Sequence, residues 1–306
     1  MVSEIAPFFL SLLGILISQA IAEPEYLYNY TVCYSSGDYA PNTTYHTNLN
    51  TVLSRLTSKT QIDYGFSNSS YGEDTDRVYA TGLCRGDVSP HTCLTCLKNS
   101  TSLLLKSCPH QKEAVGGYDL CMLHYADHSI LGYQDSSFGV YFWWETNVTD
   151  WNQYSYVVNK LLAKLRGKAA TTDSYLRNKF AAGNATSPSS ETIYAVVQCS
   201  PELTVAECSD CLGGAFSEIS KYCNNRSGCI VIKLSCNFRY MNDSFYEPTA
   251  DTLTLQLPPQ GSASPPASSP TPSTTSNSSE STYHGINGYN LQHALNYNTD
   301  PQLSTS

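Results

Sequence analysis

Apolar positions recur at helical spacing in two places. Leu49, Val52 and Leu56 fall on one face of a 3.6-residue period, and Val158, Leu161 and Leu165 repeat it at an offset of 158 − 49 = 109. A second helical stretch carries Cys93, Cys96, Leu97 and Leu104, matched downstream by Cys208, Cys211, Leu212 and Ile219. Each begins after a hydroxyl residue suited to cap a helix, Ser89 or Thr204. The pattern then switches to alternation. Cys121, Leu123 and Tyr125 mirror Cys236, Phe238 and Tyr240, the period of a half-buried strand, and Leu253, Leu255 and Leu257 continue that period near residue 257. The pattern therefore predicts two α+β units, each with two helices over an antiparallel sheet.

The cysteines make the duplication explicit. Adding 115 to Cys84, Cys93, Cys96, Cys108 and Cys121 lands on Cys199, Cys208, Cys211, Cys223 and Cys236. Such self-similarity at a fixed offset marks an internal repeat. Two cysteines fall outside it. Cys33 has no counterpart in the second half, and Cys229 faces Ala114 in the first. The offset change from 109 to 115 puts about six extra loop residues ahead of the second cysteine block. A unit of roughly 115 residues can enclose one core, with disulfides supplementing it.

An apolar stretch from Pro7 to Ile21, followed by the small-x-small run Ala20-Ile21-Ala22, reads as an export signal cleaved after Ala22, although Glu4 replaces the usual basic residues. Nine N-x-[S/T] sequons fit that route: Asn29, Asn42, Asn68, Asn99, Asn147, Asn184, Asn225, Asn242 and Asn277. Asn99 lies inside an expected helix. The domain plan is 1–22 signal, 23–145 first unit, 146–257 second unit, and 258–306 a disordered Pro/Ser/Thr-rich and polar tail. No apolar run after residue 257 reaches membrane-crossing length, and the polar ending Pro301 to Ser306 does not fit a lipid-anchor signal. The expected setting is extracellular.

Charged residues make up 14% of the chain, with a net charge of −9 and no basic cluster, which argues against nucleic acid as a partner. Each C-x2-C could be a zinc half-site or a redox pair. His110 and His124 do not complete a zinc set, no βαβ unit surrounds either pair, and an oxidising compartment favours structural disulfides. No Gly-x-Ser-x-Gly, His-Glu-x-x-His or Walker-type loop occurs. Asp74 and Asp76 read as solvated loop, and His124 and His128 as surface histidines. No catalytic residue, metal or cofactor is assigned. The run Phe138 to Trp144 is the most apolar after the signal and reads as a strand buried between the units, with an exposed aromatic patch for a protein partner as the alternative.

The doubled C-x8-C-x2-C, with Val78-Tyr79-Ala80 and Ile193-Tyr194-Ala195 upstream, resembles the DUF26 or ginkbilobin-2-homologous domain of land plants. Tandem copies resemble cysteine-rich repeat secretory proteins and the ectodomains of cysteine-rich receptor-like kinases. The resemblance spans about residues 25 to 257 and implies a five-stranded antiparallel sheet with two helices per domain. It implies first-to-fifth, second-to-third and fourth-to-sixth pairing: Cys33–Cys108, Cys84–Cys93 and Cys96–Cys121. The second repeat keeps Cys199–Cys208 and Cys211–Cys236, and elimination leaves Cys223–Cys229. The family's antifungal lectin holds mannose through an Asn, an Arg and a Glu. Their places here hold Tyr34, Val115 and Ala126, and the last two recur as Ile230 and Met241 in the second repeat. A sugar site needs fixed polar groups, so mannose binding does not carry over. The resemblance implies an apoplastic recognition glycoprotein of stress or defence signalling, non-enzymatic and directed at a protein partner such as a receptor ectodomain. A receptor-kinase ectodomain and a carbohydrate-binding antifungal lectin are the alternatives.

Overall fold

The computed structural model describes residues 26–257 except 36, 59–64, 133–137, 172–178 and 187–190, together with the backbone of 281–283 and 294–296. The export signal, most of the tail and Asn277 lie outside the described residues.

The first unit runs β1 (Asn29–Cys33), α1 (Thr44–Ser58), β2 (Phe66–Tyr71), β3 (Val78–Cys84), α2 (Pro90–Ser107), β4 (Ala114–Tyr118) and β5 (Cys121–Ala126). Its strands form one antiparallel sheet in the order β1-β4-β5-β3-β2. Leu49, Val52 and Leu56 of α1 and Leu97 and Leu104 of α2 are buried against Leu123 and Tyr125 of β5. The Ser89 side chain accepts from Thr92 N, so α2 begins at the expected cap.

The second unit runs β6 (Val140–Trp143), α3 (Trp151–Ala169), β7 (Phe180–Thr186), β8 (Thr192–Cys199), α4 (Val205–Ser217), the one-turn α5 (Ile219–Tyr222), β9 (Cys229–Ile232), β10 (Cys236–Met241) and β11 (Leu253–Gln256). Thr204 and Glu207 close a reciprocal capping box on α4. The sheet order β6-β9-β10-β8-β7 copies the first sheet, and β11 adds a sixth strand in parallel with β7. The expectation of five antiparallel strands thus needs one addition here. Two three-residue strands of the tail, β12 (Ser281–Tyr283) and β13 (Ala294–Asn296), extend the β6 edge, where the sequence reads as patternless.

The boundary at residue 145 is corrected by strand pairing. Val140 to Trp143 hydrogen-bond to β9, opposite Ile232 to Cys229, so this segment opens the second unit. Trp143 pairs with Cys229 as Cys33 pairs with Ala114. An indole therefore stands where the first unit has its first cysteine. The structure bonds Cys33 to Cys108, whereas Cys223 bonds to Cys229, six residues on. The other bonds are Cys84–Cys93, Cys96–Cys121, Cys199–Cys208 and Cys211–Cys236. Cysteines three apart share one helix face, and Cys84 sits opposite Cys121 on adjacent strands. Both sulfurs of each C-x2-C therefore reach the sheet below. This is a staple, with no free thiol among the described cysteines.

Alternation on β5 and β10 suggests one solvated face, yet β5 is buried along its whole length. The reason is the second sheet. Tyr30, Val32, Val115 and Met122 of the first sheet form one cluster with Phe138, Val140, Phe142, Ile230, Ile232 and Leu234. The sheets stack face to face with the helices outside, in four layers. The 138–144 run is thereby buried on both sides. Val140 and Phe142 face the other sheet, Tyr141 faces the helices, and Trp143 and Trp144 are half-buried.

Candidate functional site

The sheet faces that meet also carry the positions that correspond to the lectin's mannose contacts. In the first unit Tyr34 N donates to Glu113 O at 3.1 Å, and Val115 and Ala126 are fully buried. In the second, Trp144 N donates to Gly228 O at the same 3.1 Å. Since 113 + 115 = 228, Trp144 is the structural counterpart of Tyr34, a correspondence the lost cysteine hid from the sequence. A Cβ on Gly228 would lie 2.7 Å from the Trp144 ring, so glycine there lets the indole lie flat over the strand end. The three places of the second unit hold Trp144, Ile230 and Met241. Neither unit carries the Asn, Arg and Glu set at these places.

Behind these positions lie two polar groups, one that the sequence placed at the surface and one that it did not signal. His124 is a correction: it is buried, with Nε2 3.2 Å from Glu113 Oε1, whereas His128 is exposed as expected. Burial lowers the imidazole pKa below its ordinary value, and the hydrogen bond that the Glu113 carboxylate accepts opposes this. The equivalent residue in the second unit is Arg239, since 124 + 115 = 239. It is 4% exposed and has no carboxylate within ion-pair distance among the described residues. Its guanidinium lies 4.0 Å from the Phe245 ring centroid and 5.4 Å from that of Trp144, and donates to Met241 Sδ at 2.9 Å. Burial lowers its pKa to about 10. Such a cation is held by aromatic faces and polarisable sulfur in place of a counter-ion.

Arg239 borders a cavity of about 40 Å³ between the units, with Tyr30, Arg85, Asp119 and Gln198 also in its wall. Arg85 bonds Asp87 through two nitrogens at 2.6 and 3.0 Å and reaches across to Phe245 O at 3.2 Å. Gln198 Nε2 donates to Cys84 O at 2.9 Å, also across the interface. Burial raises the Asp119 carboxyl above its usual range, with Arg239 and Arg85 pulling the other way. Tyr30 Oη, Gln198 Oε1 and Arg239 Nη1 have no hydrogen-bond partner among the described residues, and all three residues line this cavity. It is sized for a few waters and lies far below the volume of a small-molecule site. The cluster ties the two sheets together.

Among the described residues no group of three or more His, Cys, Asp or Glu could hold a metal, and no helix is long and apolar enough to cross a membrane. Of the sequons, Asn29, Asn42, Asn68, Asn147 and Asn242 are exposed, while Asn99, Asn184 and Asn225 are half-buried. Asn99 Nδ2 donates to Tyr26 Oη at 3.2 Å. Asp74 and Asp76 form a short 3-10 turn, with Asp74 exposed and Asp76 half-buried.

Comparison with known proteins gives the same architecture a family. The chain is 35% identical over 257 residues to cysteine-rich receptor-like protein kinase 25 of Arabidopsis thaliana, covering 83% of this chain and 38% of the kinase. It therefore spans well under half the length of that relative. It is 34% identical to an antimicrobial ginkbilobin-2-like protein of Castanea crenata, covering 69% of this chain and 86% of that one. With cysteine-rich repeat secretory protein 1 of Arabidopsis thaliana it shares 33% identity, over 76% of this chain and 67% of that one. Among solved structures, the tandem DUF26 ectodomain of the Arabidopsis thaliana cysteine-rich receptor-like protein PDLP8 matches with a TM-score of 0.59 at 22% identity, over 71% of this chain and 98% of that one. A profile described as salt stress response/antifungal matches residues 32–128 and 144–243, one match per unit, and the chain belongs to that family with two copies of its domain.

Proposed function

We propose that this chain is an extracellular recognition module of plant stress or defence responses, acting by binding a protein partner and not by catalysis. The observation that carries the reading is the state of the family's sugar positions. In both units they are occupied by aromatic or aliphatic side chains, and Val115, Ala126, Ile230 and Met241 are buried. Three further features support it: tandem ectodomain architecture, six disulfides suited to an oxidising compartment, and exposed sequons. Covering only 38% of a receptor-like kinase also supports service as the ectodomain of such a protein. The antimicrobial relative keeps the lectin reading as the rival.

The experiment is a glycan array with thermal melts on the secreted protein, alongside capture by candidate receptor ectodomains. A ligand at a hundred times its Kd stabilises the fold by about 2.7 kcal/mol, which a melt registers. The expected result is silence on mannose and cell-wall sugars with saturable binding to a protein. Saturable mannose binding would overturn the reading.

A further inference from the structure

The loop entering α3 shapes a groove of about 470 Å³ on the second unit, which shares no lining residue with the interdomain cavity. Its walls include Asn147, Asp150, Gln153, Glu191, Ser227 and Asn242. These offer amides, hydroxyls and carboxylates, with no Lys or Arg among the lining residues. Such chemistry suits the hydroxyls and acetamido group of a sugar and excludes a phosphate or sulfate ligand. One wall group is incomplete: Gln153 Nε2 is buried and has no hydrogen-bond partner among the described residues. The Tyr154 hydroxyl, by contrast, is committed to Ser227 O at 2.6 Å.

Asn147 on the rim is exposed and opens the sequon Asn147-Val148-Thr149. Its Oδ1 accepts from Arg226 Nη1 at 3.3 Å, and the same nitrogen donates to Glu145 O at 2.9 Å. Backbone pairing of Asn147 with Arg226 holds this segment extended. The side-chain oxygen is therefore engaged, while Nδ2, the atom a glycan bonds, makes no hydrogen bond among the described residues. We infer that the groove is the seat of the chain's own N-linked glycan on Asn147, whose first N-acetylglucosamine lies in it and accepts a hydrogen bond from Gln153. Oligosaccharide transfer forms the bond from Asn147 Nδ2 to the anomeric carbon, expels the lipid diphosphate of the donor and releases one proton, with no electron exchanged. The amide oxygen survives, so the Arg226 contact is kept. Covalent attachment makes seating intramolecular, at an effective concentration in the millimolar range, so a few hydrogen bonds suffice to hold the sugar. The inference rests on the export reading above.

The test uses the full chain from a secretory host that adds high-mannose glycans. Glycopeptide mass spectrometry reports occupancy, and release by peptide N-glycosidase is followed in native and denatured protein. Asn42, exposed on a turn ahead of α1, serves as the internal control. The expected result is an occupied Asn147 whose glycan is released from native protein about tenfold more slowly than that on Asn42, the difference vanishing on denaturation or in Gln153→Ala. If Gln153→Ala is not secreted, the two sites in the unaltered chain decide. Equal native release rates overturn the seat. So does an unmodified Asn147 beside a modified Asn42 or Asn242, which leaves export standing. A chain without glycan at any site overturns both readings.

Discussion

The two units differ most sharply in one bond, and removing it from each gives a quantitative test. Cys33–Cys108 closes a separation of 75 residues, whereas Cys223–Cys229 closes 6. In the chain-entropy account a cross-link stabilises by restricting the unfolded chain, at 25 °C by about 4.5 kcal/mol for the first and about 2.2 kcal/mol for the second. The remaining bonds supply controls. Cys96–Cys121 and Cys211–Cys236 both span 25 residues, so each is expected to contribute about 3.5 kcal/mol. The perturbation is paired replacement, Cys33→Ala with Cys108→Ala against Cys223→Ala with Cys229→Ala. The assay is guanidinium unfolding of the purified, oxidised protein. Trp143, Trp144 and Trp151 are the three tryptophans of the chain and all belong to the second unit, so their fluorescence follows that unit, while circular dichroism follows both. The long bond is expected to cost roughly 2 kcal/mol more than the short one, and the two control pairs to cost the same. Equal losses for the long and short bonds, or a larger loss for the short one, would refute loop closure as the source of the asymmetry.

Two further outcomes follow from the interface. Val140 is buried between the sheets and lies opposite Ile232, so Val140→Asp places a carboxylate among apolar side chains, at a cost of several kcal/mol. The expected result is two folded but parted units with a larger radius of gyration by small-angle scattering; an unchanged radius would count against the stacked-sheet interface. Burial keeps the folded-state pKa of His124 below its ordinary 6.5, so its stability contribution is present above pH 6.5 and lost as pH falls through the folded value. One proton limits the slope to about 1.4 kcal/mol per pH unit. His124→Gln should flatten the decline in melting temperature below pH 6.5, and an unaltered slope would argue against a buried neutral imidazole.

Much of the fold was legible because each signal had a local cause. Leu49, Val52 and Leu56 share a helix face whatever packs on it, and the cysteine offset survives in any register. The failures share one origin, the second sheet lying on the first. Alternation along β5 identifies Leu123 and Tyr125 as core, but cannot say whether His124 on the opposite face meets water or another sheet. The Val140–Trp143 strand lost its period for the same reason: with apolar neighbours on both faces it reads as a continuous run. Its own tag, the first cysteine, is replaced by Trp143, so nothing in the spacing told which sheet it joins. Arg239 was invisible as a site residue because its partners, Trp144, Met241 and Phe245, carry no charge to signal it.

The unequal bonding also sets how each unit would yield to a pull along the chain. With Cys33 tied to Cys108, the chain across that separation of 75 cannot be drawn out, which hides roughly 250 Å of contour at full extension. The second unit lacks that tether: no disulfide reaches across from β6, so α3 and β7 can unspool from Trp143 as far as Cys199. At the other end β11 lies parallel to β7 through four residue pairs, so tension on the C-terminal side loads that short ladder in shear. Under force, then, the molecule is a stiff block joined to an extensible one, and the length it gives up comes from its second half.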